Sequence, residues 1–293
     1  MHSAAKLHYV DGLPQIEVAR IMQVSTATVS RLIARAREEG IVRIHIVDPD
    51  ETDEIGEELR ARLALRAARV LPGSGLAALS AQVGLLLLDA GLPAEAVLVL
   101  GWGRTVQAVL AGGLPTIPGT TIVPATGGLH EAASHFQITE FVRAAAEQMQ
   151  GQPVFLHAPL MASAELRSVF ASDPDASRVL DLWSSADAAI LGIGGFETRS
   201  ALPPGDAAAT PVAGDVVRNY FDASGNEIRW RGHENLIAIS RSQLRRIPLS
   251  IGVAAGPDKQ AAITGAARSG MINALVTDLR TAQAIIETLR DPP

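Results

Sequence analysis

Three glycine-rich turns, each directly after a short apolar run, carry residues suited to holding an anion. In Val99-Leu-Gly-Trp-Gly-Arg-Thr-Val106, glycine lets a ligand approach the backbone. The amides of the helix that starts there can converge with the Thr105 hydroxyl and the Arg104 guanidinium on a phosphate. Gly101, Gly103, Arg104 and Thr105 are therefore candidate phosphate contacts. The segment lacks the Gly-Lys-Ser/Thr of a Walker loop, and Val106 breaks the full Gly-x-Gly-x-x-Gly dinucleotide pattern. The second turn, Pro124-Ala-Thr-Gly-Gly-Leu129, offers Thr126, Gly127 and Gly128; the third, Leu191-Gly-Ile-Gly-Gly-Phe-Glu197, offers Gly194. Lys259, one of two lysines beside 23 arginines, opens a helix just past another apolar run, where its ammonium can join the same anion site. Glu131, Glu197 and Asp215 are acids able to accept hydrogen bonds from sugar hydroxyls.

A second chemistry lies near the start of the chain. Pro14 fits the first position of a helix, and Ile16, Ala19, Ile21 and Met22 recur at helical spacing, with small Ala19 where two helices must cross closely. Val24 plugs a tight turn, Ser25 can cap the next helix, and Val29, Leu32, Ile33 and Ala36 form its apolar stripe. Short hydroxyls and methyls on the other face can approach base edges in a major groove, while arginines can take a guanine or a phosphate. Ser25, Thr26, Thr28, Ser30, Arg31 and Arg35 are thus the candidate contacts of a helix-turn-helix with double-stranded operator DNA. Gln23 stands at the turn position that glycine often fills, which predicts a strained backbone. Gly40 ends the helix, and the alternation after it, to Ile46, predicts a short strand or wing.

Composition narrows the alternatives. The net charge is −6, yet residues 1–47 hold six Lys or Arg against four Asp or Glu, leaving −8 on the rest. So small a positive excess predicts weak DNA affinity for one copy, and pairing of several copies along an operator. The absence of cysteine excludes disulfides, thiolate metal sites and cysteine nucleophiles. No Gly-x-Ser-x-Gly elbow, kinase or metalloprotease pattern occurs, and His130 and His135 lack metal-ligand spacing. No catalytic residue, metal or cofactor is expected. The apolar run 83–88 is too short to span a bilayer and no secretion signal precedes the first helix, so a cytoplasmic protein is expected.

These groups need a scaffold. Residues 48–54 are acidic and proline-bearing and read as a break. The expected domains are 1–50 for DNA, and 51–293 for effector binding and oligomerisation. Residues 55–68 and 76–88 read as helices. Apolar runs at 97–101, 120–124, 153–156, 188–192, 236–240, 249–254 and 274–277 read as buried strands. Helix-length segments at 104–111, 139–150, 164–171, 176–184, 259–269 and 279–290 separate most of them. This alternation predicts a doubly wound, mostly parallel α/β sheet with ligands at the carboxyl ends of its strands. Residues 198–235 break the pattern and read as an excursion on the surface or over a pocket.

The block Ala4-Ala-Lys-Leu-His-Tyr-Val-Asp-Gly-Leu-Pro-Gln-Ile-Glu-Val-Ala19, continuing through Val29-Ser-Arg-Leu-Ile33 to Ala36-Arg-Glu-Glu-Gly-Ile-Val-Arg-Ile44, resembles the SorC family of sugar-responsive bacterial transcriptional regulators. So do Gly214-Asp-Val-Val217, Tyr220-Phe-Asp-Ala-Ser-Gly225, and Gly252-Val-Ala-Ala-Gly256 through Lys259 to Ile272-Asn-Ala-Leu-Val-Thr-Asp278. The likeness covers nearly the whole chain. It implies a winged helix-turn-helix joined to an effector domain related in fold to sugar-phosphate isomerases and glucosamine-phosphate deaminases, but used for sensing. It also implies a phosphorylated sugar or sugar-alcohol effector, and a homo-oligomer, dimer or tetramer, on an extended operator.

By position, the resemblance makes Gly101, Gly103, Arg104 and Thr105 phosphate-loop residues and Thr126, Gly127 and Gly128 a second ligand loop. It makes Lys259 a phosphate contact and Asp215 the acid that meets sugar hydroxyls. The first loop departs from the family in carrying Trp102 and Arg104, which alters effector choice through an added phosphate contact or a narrowed pocket. No lysine occupies the loop after Pro124, so the lysine imine of some relatives is not expected. The expected function is sequence-specific control of a carbohydrate or polyol catabolic operon. The alternative is a sugar-phosphate isomerase- or deaminase-like enzyme with an appended DNA-binding domain.

Overall fold

The computed structural model describes residues 1–42, 49–73, 75–128, 137–195 and 211–290. The chain divides into two compact units, Met1–Asp48 and Pro49–Pro293. In the first, His2–Ala5 (α1) runs into a π-helical turn, Lys6–Val10, followed by Gln15–Met22 (α2) and Thr26–Glu38 (α3). Ala4, Val18, Ala19, Val29 and Ile33 form its small core, with Leu7, Leu13, Met22 and Leu32 packed against it. Ile16 and Ile21 are 73% and 54% exposed, because Val18, Ala19 and Met22 set the inward face of α2. Pro14 precedes the helix rather than opening it, with an extended ψ of 148°. Residues 43–48, which include most of the expected wing, lie outside the described residues.

In the second unit the acidic stretch expected as a break is instead the opening of a helix, Pro49–Arg62 (α4). Proline suits the first helical position, and Glu51, Asp53 and Glu54 sit near the positive end of the helix dipole. The helix also ends earlier than expected. Ala64, at φ 52°, turns the chain, and Ala67–Leu71 (β1) is a strand.

Leu76–Asp89 (α5), Val97–Leu100 (β2), Arg104–Gly112 (α6), Thr121–Pro124 (β3) and Ile138–Met149 (α7) follow. Next come Gln152–Pro153 (β4), Ala164–Ser172 (α8), Pro174–Ser184 (α9) and Ala188–Gly192 (β5). The short strands Gly194–Gly195 (β6), Gly214–Val216 (β7), Asn219–Phe221 (β8) and Glu227–Ile228 (β9) lead to Arg241–Leu244 (α10). Leu249–Val253 (β10), Gln260–Arg268 (α11), Ala274–Asp278 (β11) and Leu279–Arg290 (α12) complete the order.

Seven strands form a parallel sheet in the order β1-β11-β10-β5-β2-β3-β4. After β2 the chain steps outward to β3 and β4; after β5 it steps the other way, to β10 and β11. The winding therefore reverses between β2 and β5. In open α/β sheets, ligands bind at the carboxyl ends of strands beside such a reversal. Leu98, Leu100, Ile190, Ile251 and Val276 anchor the core beneath that edge. Burying each such leucine or isoleucine contributes about 1.5–3 kcal/mol, which makes the sheet a stiff platform.

Two expected strands are reduced. Of 153–156 only the start joins β4, and 236–240 makes single bridges, Ala238 to Thr126 and Leu236 to Met161. The described part of the expected excursion, 211–235, builds most of a four-stranded antiparallel sheet, β6-β7-β8-β9. Its β6 prolongs the line of β5 and pairs Gly194 with Asp215 and Gly195 with Gly214. Residues 196–210, including Glu197, lie outside the described residues. Among the described residues no helix is long and apolar enough to cross a membrane.

Candidate effector site and nucleic-acid surface

In the first unit, the Ser25 hydroxyl accepts the Thr28 backbone N–H at 3.1 Å and lies 2.8 Å from the Thr28 hydroxyl. Both residues are thus engaged in capping α3, and Thr28 is half-buried. Thr26, Ala27, Ser30, Arg31 and Arg35 form the exposed stripe. Arg31 Nε donates to Ala27 O at 3.4 Å, and Arg35 Nε to Glu39 Oε1 at 2.6 Å. Arg37, not among the sequence candidates, donates to the Tyr9 hydroxyl at 2.8 Å and stacks over that ring at 5.8 Å. It ties α3 to the helical segment before α2. Gln23 adopts the left-handed conformation, φ 55° and ψ 42°, so the turn carries the backbone strain that its side chain predicted.

In the second unit, four segments meet at the β2–β5 reversal. The first is the turn after β2. Gly101 N–H donates to Ile190 O at 2.9 Å, and a Cβ at Gly101 would stand 3.2 Å from that oxygen, a tight contact that glycine avoids. Gly103, at φ 118°, caps α6 and opens its first turn at Arg104 and Thr105. Arg104 is exposed and Thr105 half-buried.

The second segment is 193–195, after β5. The third is the turn after β10, where Lys259 Nζ donates to Ile193 O at 3.4 Å. A Cβ at Gly195 would stand 3.1 Å from Lys259 Nζ, so glycine leaves room for the ammonium. That turn is fastened from β11: Gly256 N–H donates to Asp278 Oδ2 at 2.8 Å and to Thr281 Oγ1 at 2.9 Å. Asp278 is a positioning residue that sequence reasoning did not single out.

The fourth is the β7–β8 hairpin. Asp215 Oδ2 accepts the Arg218 backbone N–H at 3.0 Å, while Val217 and Arg218 take φ values of 52° and 60°. Glycine or asparagine normally fills such a turn, and the left-handed conformation costs other residues roughly 1–2 kcal/mol each. The Arg218 guanidinium lies 5.6 Å over the Trp102 ring, and its Nη1 donates to the Tyr220 hydroxyl at 3.1 Å. Tyr220 in turn meets the Trp230 ring edge-on at 6.2 Å.

Asp215 is half-buried, with protein crowding its carboxyl. Burial pushes its carboxyl above the ordinary range, outweighing the Arg218 amide and the charges of Arg218 and Lys259, which pull it down. Burial likewise pushes the Tyr220 phenol up. The site thus gathers Gly101, Gly103, Arg104, Thr105, Gly194, Asp215 and Lys259, and adds Arg218 and Tyr220. Sequence reasoning missed those two; the available signal was a hairpin turn without glycine.

Thr126, Gly127 and Gly128 sit after β3, next to β2 in the sheet, but their groups are otherwise engaged. Gly127 N–H donates to Ile237 O at 2.9 Å, Gly128 N–H to Ala158 O at 2.8 Å, and Thr126 Oγ1 to Gly127 O at 2.9 Å. A Cβ at Gly127 would overlap the carbonyls of Ala158 and Pro159. Glycine there permits close packing of backbones. Gly128 borders a separate recess of about 390 Å³ with His157 and Thr139. Among the described residues no cluster of His, Asp or Glu is arranged to hold a metal. His130, Glu131 and His135 lie outside the described residues.

A helix-turn-helix unit followed by a parallel α/β unit with glycine-rich turns at its winding reversal is the architecture of a ligand-responsive DNA-binding regulator. Residues 47–287 match the family described as "Putative sugar-binding domain", and residues 6–39 match "Sigma-70, region 4". The chain belongs to the SorC family of sugar-responsive transcriptional regulators. It is 29% identical to the sorbitol operon regulator of Klebsiella pneumoniae, over 97% of this chain and 96% of that one. It is 25% identical to the deoxyribonucleoside regulator of Bacillus subtilis (98% and 96% covered) and 29% to the transcriptional regulator LsrR of Escherichia coli (97% and 93%). The crystal structure of the full-length Klebsiella regulator superposes with a TM-score of 0.73 at 27% identity, covering 97% of this chain and 96% of that one. These relatives are transcriptional regulators rather than enzymes, which decides against the isomerase or deaminase alternative.

Proposed function

We propose that this chain controls a carbohydrate or polyol catabolic operon in response to a phosphorylated sugar or sugar alcohol bound at the β2–β5 crevice. The observation that carries this reading is the convergence of the Gly101–Thr105 turn, Asp215 and Lys259 at the winding reversal. The α6 amides, Thr105, Arg104 and Lys259 suit a phosphate, and Asp215 suits sugar hydroxyls. The names of the sorbitol operon and deoxyribonucleoside regulators support a polyol or sugar. Residues 1–50 act on operator DNA and 51–293 bind effector and oligomerise. The +2 excess on residues 1–47 supports a homodimer or tetramer, in which several weak contacts add up on one operator in the cytoplasm. Effector binding shifts the balance between arrangements of these copies that differ in DNA affinity.

Thermal unfolding against a panel of free and phosphorylated sugars and polyols tests the ligand. A ligand at about 100 times its Kd stabilises by roughly 2.7 kcal/mol, a readable shift in Tm. The expected result is a shift from phosphorylated compounds and none from their free counterparts; the reverse overturns the phosphate assignment. Sedimentation at concentrations that saturate the operator tests the assembly, and a monomer on DNA would overturn it.

A further inference from the structure

α5 differs from an ordinary outer helix. Its inward residues Leu79, Val83, Leu86 and Leu87 share one core with Val106, Val109 and Leu110 of α6 and with the sheet. On its solvent side Ala78, Ala81, Leu85 and Leu88 are exposed, the two leucines by 45% and 54%. A helix that is apolar on both sides belongs in an interior, because a solvated face carries polar groups. α7 has such a solvated face, where exposed Arg143 pairs with Glu140 and Glu147. In α5 the last residue, Asp89, is the first to carry a charge.

The four exposed positions follow the a/d spacing of a helix seam that receives another helix. They are also ordered by size, alanines toward the N-terminus and leucines toward the C-terminus. A parallel copy would stack alanine on alanine and leave a gap. An antiparallel copy, related by a two-fold axis level with Val83, sets Ala78 against the partner's Leu88 and Ala81 against the partner's Leu85. Every layer then joins a small side chain to a large one. The same axis brings Asp89 to the first turn of the partner's helix. A carboxylate is favoured there by the positive end of the helix dipole, whereas in its own chain Asp89 sits at the negative end. Asp89 also pairs with Arg69 at 3.0 Å, and its side chain stays 60% exposed.

Resting on the homo-oligomer reading above, we infer that this face of α5 is a self-association surface, covered by α5 of a second copy packed antiparallel across a two-fold axis at Val83. The contact is isologous, so it closes on two copies and presents the same residues from each.

Cysteine pairing in the full chain tests the contact, and the chain holds no cysteine of its own to interfere. After subunit exchange and mild oxidation, Ala81→Cys mixed with Leu85→Cys should form linked dimers about fivefold faster than either protein alone, because only the facing pair lies within disulfide reach. A mixture of Ala78→Cys with Leu85→Cys should stay as slow as the single proteins. Leu85→Lys keeps an apolar stem at an exposed position and so leaves the fold intact; by sedimentation it should raise the self-association Kd by about tenfold or more. A preference for any other cysteine pairing, or an unchanged Kd in Leu85→Lys, overturns this contact alone. A wild type that remains monomeric at operator-saturating concentrations overturns the homo-oligomer reading and this proposal with it.

Discussion

Gly194 lies directly opposite Asp215 in the β6–β7 ladder, and a Cβ at Gly194 would overlap Asp215 Oδ1. The pairing joins the two sheets, because β6 carries on from β5 while β7 leads into the Val217–Arg218 turn. Glycine at 194 leaves the Asp215 carboxylate the space it occupies while it holds the Arg218 amide. A backbone vacancy in one strand thus sets the position of a charged group in the next.

Gly194→Ala should therefore act on the ligand more than on the fold. The added methyl meets a side-chain oxygen, which can rotate away, so Tm in the absence of ligand should change little. Asp215 would lose its present rotamer, and effector affinity should fall by about tenfold, or roughly 1.4 kcal/mol. Calorimetry on the two proteins checks this; unchanged affinity would show that the Asp215 rotamer is irrelevant to binding.

Asp215 also gives the site a pH dependence. Its folded-state carboxyl is raised above the ordinary value of about 4, chiefly by burial. The protonated form is therefore favoured by folding, and its contribution is complete below the unfolded pKa and lost as pH rises through the folded one. Asp215→Asn keeps an oxygen for the Arg218 amide and carries no charge. Its stability relative to wild type should rise with pH from about 4 upward and level off above the folded pKa. Urea unfolding of both proteins across that range measures the difference; a flat difference would exclude the buried charge as its source.

Much of this architecture is readable in the chain because parallel strands buried on both faces appear as unbroken apolar runs. Residues 97–100, 188–192 and 274–276 are such runs, 249–253 is one interrupted by Ser250, and all lie in strands. β1 escapes that reading: it is an edge strand with alanines and Arg69, and its strand character comes from parallel pairing with β11, far along the chain. Strand order is equally nonlocal, so the reversal that brings the 101–105 and 193–195 turns together cannot be read from composition. The Thr126-Gly-Gly turn depends on nonlocal partners as well. Its residue types match an anion loop, but whether its amides are available depends on carbonyls at 158 and 237 that fold against it. The stacking of Arg218 on Trp102 is nonlocal in the same way.

The strained turn in the first unit predicts a stabilising change. Gln23 bears φ 55°, and among the described residues its side chain makes no hydrogen bond that glycine would lose. Gln23→Gly should stabilise that unit by up to about 1 kcal/mol, the relief of left-handed strain less the added entropy of the unfolded chain. Ser25→Ala removes the cap on Thr28 and should cost about 1 kcal/mol. Thermal unfolding of residues 1–42 within the full chain, followed by amide exchange in α2 and α3, separates the two effects; equal protection in both variants would disprove them.

The last prediction concerns Arg35 and Glu39, which are paired at 2.6 Å with side chains 70% and 42% exposed. So exposed a pair contributes little to stability, about 0–1 kcal/mol, but Glu39 holds the guanidinium back from any phosphate and adds its own repulsion toward DNA. Glu39→Gln removes both effects without disturbing α3. Operator affinity should rise, and the slope of log K against log salt should steepen by up to about 0.9 as one more phosphate contact forms. Arg31→Ala should move the other way, weakening operator binding by about 1–3 kcal/mol if its guanidinium reads a base. The two can be told apart on non-specific DNA. The Glu39→Gln gain should persist there, because it is carried by phosphate, while the Arg31→Ala loss should shrink, because base reading is absent. Equal changes on both DNAs would assign Arg31 to the backbone as well.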